Sequence, residues 1–359
     1  MTMRIAPLLA AALALFAAPP AMAGKVSRLL GQERCLATIR SGDALLGGLH
    51  TGSLPGHVFV QRCDSLWLVL DRRGGAERTK AIGGRYIPKF RARKKPFAIP
   101  DARVTVGRRD IQEAWLTRPT RRYDHGILGD AIEAGGLAAR DPRGRRVELV
   151  LPEGEVFEDR MARLVDLDGD GRDEMVVVHT YLDRGAALAI YARRGAGAGE
   201  RILRLAESAP IGSPHRWLNP AVAADFDGDG RMEIAWVETP HIGGILRLAR
   251  LEGKGEARAL RPLGELPGFS NHEAGSPVLQ GAVTFDWDGD GRPDIILPGA
   301  KRRSIKVVSW KAGRLKLIDS MDIGGRIDSP LIAADLDGDG RGEALLVTRD
   351  ARLLSFSPR

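Results

Sequence analysis

An all-β fold made of many short strands is what this sequence predicts, on three observations. The 359 residues include 44 Gly and 21 Pro, which places a turn signal every few residues. Short apolar runs, many of them β-branched, recur between those turns, as in Met175–Val178 and Ile295–Leu297. One acidic loop pattern then occurs four times in the second part of the chain. With 43% hydrophobic and 28% charged residues the chain is long enough and apolar enough to bury a sizeable core, which excludes a disordered tail. A slightly negative mean hydropathy excludes a multi-span membrane protein, and two cysteines are too few for a disulfide-built scaffold.

From the start of the chain, Met1–Arg4 is a positive segment, Ile5–Ala18 an apolar run, and Pro19–Ala23 ends in a small-x-small pattern. Residues 1–23 therefore read as an export signal that is removed, leaving Gly24 first, no lipid-bearing cysteine and no membrane span. The expected location is periplasmic or secreted. An oxidising compartment favours one disulfide between Cys35 and Cys63, with two buried free thiols as the alternative. Such a bridge stabilises by roughly 3 to 4 kcal/mol on chain-entropy grounds.

Residues 24–122 carry strand candidates at His57–Gln61, Ser65–Leu70, Ala102–Val106 and Ile111–Leu116. The net charge of +8 is unevenly spread: residues 24–157 hold 25 Lys and Arg against 15 Asp and Glu, and residues 158–359 hold 28 against 31. The densest basic stretch, Arg85–Phe97, interleaves cations with aromatic rings, as a polyanion-binding surface does; a solvated loop is the plainer explanation. Export would separate the protein from cytoplasmic nucleic acid. Acidic polysaccharide or anionic headgroups are the better expected partners.

The four acidic loops are Asp166-Leu-Asp168-Gly-Asp170-Gly-Arg172-Asp-Glu174, Asp225-Phe-Asp227-Gly-Asp229-Gly-Arg231-Met-Glu233, Asp286-Trp-Asp288-Gly-Asp290-Gly-Arg292-Pro-Asp294 and Asp335-Leu-Asp337-Gly-Asp339-Gly-Arg341-Gly-Glu343. Their first aspartates lie 59, 61 and 49 residues apart, the size of a large supersecondary unit. Carboxylates at the first, third, fifth and ninth positions, with the arginine carbonyl at the seventh, make a shell of hard oxygens that suits calcium. The glycines at the fourth and sixth positions let the backbone wrap around an ion. Zinc is disfavoured because no loop contains His or Cys. An EF-hand is excluded because its twelfth position, a bidentate Glu, is here Val177, Trp236, Leu297 and Leu346. Apolar runs before and after each loop make every copy strand, loop, strand. Up to four calcium ions are expected, in a structural role. At extracellular affinities each would contribute roughly 0.4 to 1.4 kcal/mol.

The repeated DxDGDGxx[DE] between short strands resembles the FG-GAP/VCBS repeat of integrin-type propellers and of many exported bacterial proteins, over residues 123–359. The resemblance implies a β-propeller with calcium loops in its last four blades. Tyr123–Leu137 resembles a further copy whose metal loop is deleted, and residues 24–122 have room for two degenerate blades, so seven blades are expected, with six as the alternative. Only 16 residues follow Glu343, too few for two outer strands, so the N-terminal segment is expected to complete the last blade. The organisation is then signal peptide 1–23, degenerate blades with the basic stretch 24–122, and repeat-bearing blades 123–359.

If the loops lie on one face, strand alternation sends the other connections to the opposite face. Those connections hold His125, His179, His215, Trp217, Asn219, His241, Asn271 and His272, a candidate ligand-binding patch. No nucleophile elbow, metalloprotease motif or phosphate-binding glycine loop is present, so no catalytic residue is assigned. The expected function is a monomeric binding or scaffold module, adhesive or carbohydrate-recognising. The alternatives are a calcium-dependent polysaccharide lyase or hydrolase, and an envelope protein with only protein partners.

Overall fold

The computed structural model describes residues 24–28, 36–41, 58–62, 67–71, 78–82, 95–195, 197–255 and 258–358. Cys35, Cys63 and most of the Arg85–Phe97 stretch lie outside them. Alternating and continuous apolar runs produce strands throughout, and the described residues contain no α-helix; a 3-10 turn lies at Gly197–Gly199. None of their helical turns is long and apolar enough to cross a membrane.

The strands fall into consecutive antiparallel sets of four. The first set is β2 (Leu36–Ser41), β3 (Val58–Arg62), β4 (Trp67–Asp71) and β5 (Arg78–Ile82). The second is β6 (Thr105–Val106), β7 (Glu113–Thr120), β8 (Glu133–Arg140) and β9 (Arg146–Val150). A short β10 (Glu155–Phe157) bridges β8 to the third set: β11 (Arg163–Val165), β12 (Glu174–Tyr181), β13 (Gly185–Arg194) and β14 (Arg201–Glu207). The fourth set runs β15 (Leu218–Ala224), β16 (Glu233–Glu238), β17 (Ile245–Glu252) and β18 (Ala259–Pro267). The fifth is β19 (Val283–Phe285), β20 (Asp294–Pro298), β21 (Ser304–Lys311) and β22 (Arg314–Asp322).

The last set has three strands of its own, β23 (Ile332–Ala334), β24 (Glu343–Val347) and β25 (Leu353–Ser357), and takes its fourth, β1 (Lys25–Arg28), from the start of the described chain. Val26 pairs with Phe356 and Ser27 with Ser355, so the N-terminal segment completes the final sheet as expected. The first strands succeed one another around an axis: β6 packs on β11, β15 on β19, β19 on β23, and β23 on β2. This is a β-propeller. Small residues line the crowded first strands, with Ala223, Ala224, Ala333 and Ala334 all buried.

Apolar layers fill the spaces between sheets. Val176, Val178, Leu188 and Ile190 of the third set meet Trp217, Ile234 and Trp236 of the fourth. Phe226, Val237 and Leu248 of the fourth meet Ile295, Leu297 and Val308 of the fifth. Each such side chain contributes about 1.5 to 3 kcal/mol when fully buried.

One expectation is corrected. Among the described residues the strands make six sets. Residues 24–122 supply one complete set, the closing strand and the first half of a second. The expected copy at Tyr123–Leu137 is instead the connection between β7 and β8 together with the start of β8, so the division at residue 122 falls inside one sheet. The counterpart of the acidic loops in that sheet is the shorter turn 107–112 between β6 and β7, whose one carboxylate is Asp110. A connection and a deleted loop look alike in sequence, because both place a short polar segment between apolar runs.

Candidate metal loops and the face opposite them

All four acidic loops have one internal geometry, built from the backbone outward. The carboxylate at the first position accepts the N–H of the second glycine: Gly171 to Asp166 at 3.0 Å, Gly230 to Asp225 and Gly291 to Asp286 at 2.8 Å, Gly340 to Asp335 at 3.1 Å. That turn needs left-handed backbone, and the paired glycines have φ of 72° and 81° in the first loop and 81° and 84° in the fourth. The carboxylate at the fifth position accepts the N–H of the following arginine, as in Asp170 with Arg172 at 2.9 Å and Asp339 with Arg341 at 2.7 Å.

The ninth-position carboxylate accepts the N–H of the second residue in every copy: Leu167 to Glu174 at 2.9 Å, Phe226 to Glu233 at 2.7 Å, Trp287 to Asp294 at 2.9 Å and Leu336 to Glu343 at 2.8 Å. Those four second residues are each 2% exposed. Sequence reasoning passed over this apolar anchor, although the repeated Leu, Phe, Trp, Leu at one position carried the signal.

Ligand atoms within 4.8 Å of one another come from Asp225, Asp227, Asp229 and Glu233 in the second loop; from Asp166, Asp168 and Glu174 in the first; and from the three leading aspartates in the third (Asp286, Asp288, Asp290) and fourth (Asp335, Asp337, Asp339). Several carboxylate oxygens there are buried without a hydrogen-bond partner, among them Oδ1 of Asp166, Asp288 and Asp294. Orphaned buried acceptors are what a cation satisfies. Burial pushes the ninth-position groups up, Glu174 and Glu343 to about 7 and Asp294 to about 6.

Basic side chains offset part of the negative charge. Arg250 of β17 lies 2.7 Å from Asp227 and 3.0 Å from Asp229 and also pairs with Glu233; Lys311 of β21 lies 2.7 Å from Asp288; Arg194 lies 3.1 Å from Glu174, and Arg258 2.6 Å from Asp168. Among the described residues the fourth loop has no such cationic neighbour. Of the seventh-position arginines, Arg172 lies 3.2 Å from Asp110 of the preceding sheet's turn and Arg292 passes over Gly228, while Arg231 pairs with Asp229 of its own loop at 2.6 Å.

On the opposite face, connections from several sheets bring five of the eight expected ligand-face residues together. The His215 ring stacks on Tyr123 with centroids 5.1 Å apart, and its Nε2 lies 2.9 Å from Asp124. His125 is 5.3 Å from His215 and pairs through Nδ1 with the buried carboxylate of Glu158. The indole of Trp217 donates to the Glu158 carbonyl at 2.9 Å and stacks on His241. His272 Nε2 faces the Ser276 carbonyl at 2.9 Å, so it carries the proton, and its Nδ1 accepts from His241 Nε2 at 2.9 Å. Burial keeps both of these rings neutral, depressing His241 to about 4 and His272 to about 3. Burial also lowers His125, and it raises Glu158 to about 8.

The other three residues lie elsewhere. His179 is fully buried on β12, between Glu155 at 2.9 Å and Glu207 at 3.5 Å. Asn219 and Asn271 are buried cross-links: Asn219 donates to the Leu279 carbonyl at 2.9 Å, and Asn271 to the Asn219 carbonyl at 3.0 Å. Glu158 was missed because nothing in its local sequence marks it as facing His125.

In comparison with known proteins, the FG-GAP-like repeat family matches residues 166–236 and 280–346, each stretch spanning two of the acidic loops. Among solved structures, the WD40 domain of Toxoplasma gondii coronin aligns with a TM-score of 0.41 at 12% identity, covering 95% of this chain and 88% of that one. No curated protein matches the chain.

Two outcomes follow from this geometry. Phe226→Ala removes a buried loop anchor and is expected to cost about 3 to 5 kcal/mol in urea denaturation; a loss under about 1 kcal/mol would mean that the anchor does not hold the loop. Burial, and next the nearby Glu158, raise Glu133 from 4.5 to about 9. The folded state therefore binds this proton more tightly than the unfolded chain does. Its contribution is complete below pH 4.5 and is lost as pH rises toward about 9. Glu133→Gln is expected to flatten that decline, read as unfolding free energy across the range; an unchanged slope would contradict it.

Proposed function

We propose that this chain, which carries FG-GAP-like repeats on a β-propeller, is an exported binding module that recognises a glycan with the face opposite its acidic loops. The observation that carries the reading is the convergence of His125, His215, Trp217, His241 and His272 with Tyr123 from several sheets onto that one face. Trp217 and His272 are buried and support the half-buried rings of His125 and His241, beside which His215 and Asp124 are exposed. Accessible rings among polar groups suit a sugar, whose C–H faces stack and whose hydroxyls hydrogen-bond.

The loops are the proposed calcium sites. Asp225, Asp227, Asp229 and Glu233 form the fullest donor set, and the orphaned oxygens of Asp166 and Asp288 support the same assignment in their loops. The ion would neutralise clustered carboxylates and tighten the loop that joins the first two strands of a sheet. Its role is structural, since these loops lie on the face away from the histidines.

Export is supported at the N-terminus. The Gly24 nitrogen lies 2.6 Å from Asp319 Oδ2, and an ammonium created by removal of residues 1–23 keeps that contact as an ion pair. The protein acts as a monomer in the periplasm or outside the cell, and nucleic acid is not its ligand.

A second reading, elimination or hydrolysis on a polysaccharide, is favoured by the buried Glu158 on His125 beside Tyr123, an arrangement that could orient a general base. Binding of the mature chain to an array of neutral and acidic glycans, in calcium and in EDTA, tests the leading reading. Saturable binding is expected. Well-folded protein that binds no glycan would overturn it and favour protein partners, and release of shortened products would favour the enzymatic reading.

A further inference from the structure

We infer that Arg302, Arg326 and Arg349, gathered around Glu273, form a subsite for the carboxylate of a uronic acid in the glycan; this rests on the glycan reading above and specifies its ligand. The three arginines come from separate connections on the histidine-bearing face. Arg302 lies in the turn between β20 and β21, Arg326 in the segment before β23, and Arg349 in the turn after β24. Glu273 directly follows His272, so the cluster adjoins the histidine group.

One carboxylate oxygen receives two guanidinium groups. Glu273 Oε1 is 3.0 Å from Arg326 Nη2 and 2.9 Å from Arg349 Nη2, and its Oε2 is 4.0 Å from Arg302 Nε. The other acid in the group is Asp328, 3.8 Å from Arg349. Three guanidinium charges thus face two carboxylates, and the exposed Lys301 and Arg303 flank Arg302. The cluster has positive charge to spare on a solvent-facing side, where Arg326 and Arg349 are 46% and 55% exposed.

The cluster is also pre-organised. The Arg349 N–H bonds the Arg326 carbonyl at 2.8 Å, and the Ile327 N–H bonds the Arg302 carbonyl at 3.0 Å, so all three backbones are tied together. Arg302 is buried at 7% exposure, held by the Ser270 carbonyl at 3.3 Å and the Ile327 carbonyl at 3.4 Å, while its Nε has no hydrogen-bond partner. Burial lowers it only to about 10, so it stays charged at neutral pH. A guanidinium offers five N–H donors in a planar fork, and a carboxylate matches two of them at once. Glu273 uses one edge of this array, and the exposed edges of Arg326 and Arg349 are open to a second planar anion.

The test is calorimetric titration of the mature chain with an oligogalacturonate, with its methyl ester, which has the same sugar backbone without the charge, and with a sulfated oligosaccharide. The acid is expected to bind at least about tenfold more tightly than the ester, with salt weakening the preference. In the double variant R326A/R349A, which alters two exposed side chains, the preference is expected to vanish while ester binding persists as the control for folding. Equal affinity for acid and ester, or a preference that survives in the double variant, overturns the subsite and leaves the glycan reading standing. Arginine-dependent binding of the sulfated ligand alone overturns the uronate assignment. Failure of all three ligands to bind overturns the subsite and the glycan reading together.

Discussion

The hydrogen bond from the second residue of each acidic loop to the carboxylate at its ninth position is the contact on which the rest of the structure depends. It ties the end of one strand to the start of the next, because the ninth residue is also the first of β12, β16, β20 or β24. The same second residue sends an apolar side chain into the core, so one position closes the loop and anchors it between sheets. A buried acceptor that lost this partner would carry an unpaid desolvation cost of about 1 to 3 kcal/mol. Each loop therefore fixes the relation between the first two strands of its sheet, and with it the direction in which the outer connections leave.

That direction separates the two faces. Carboxylates collect where first strands turn into second strands, and histidines, tryptophan and arginines collect where the chain returns or crosses to the next sheet. The separation has an electrostatic consequence. The acidic face is partly neutralised from within by Arg194, Arg250 and Lys311, whereas the opposite face keeps the neutral imidazoles of His241 and His272 beside three guanidinium groups that share two carboxylates.

The repeats were legible because their chemistry is local: glycines with positive φ, alternating aspartates and flanking apolar runs all lie within a dozen residues. The closing strand was legible from chain length alone. The place of Tyr123–Leu137 was not, since it has the composition of an eroded repeat while its backbone joins β7 to β8. Strand alternation placed His125, His215, Trp217, His241 and His272 on one face, but it says nothing about side-chain direction. His179 sits on β12 with its ring between Glu155 and Glu207, and the Nδ2 groups of Asn219 and Asn271 donate to neighbouring carbonyls while both Oδ1 atoms stay buried. Glu158 and Arg349 acquire meaning only through contacts with residues far away in sequence, which no local pattern encodes.

The central claim is that clustered carboxylates hold cations that fix the ring, and counting bound calcium tests it most directly. The mature chain would be dialysed against calcium, freed of loose ions and analysed for metal per chain, with its thermal unfolding midpoint followed as calcium is added. The account predicts saturable uptake of up to four ions per chain, a midpoint that rises with occupancy, and one ion fewer when Asp225 is replaced by Asn. Folded protein that retains no calcium, and whose midpoint is the same in calcium and in EDTA, would contradict it.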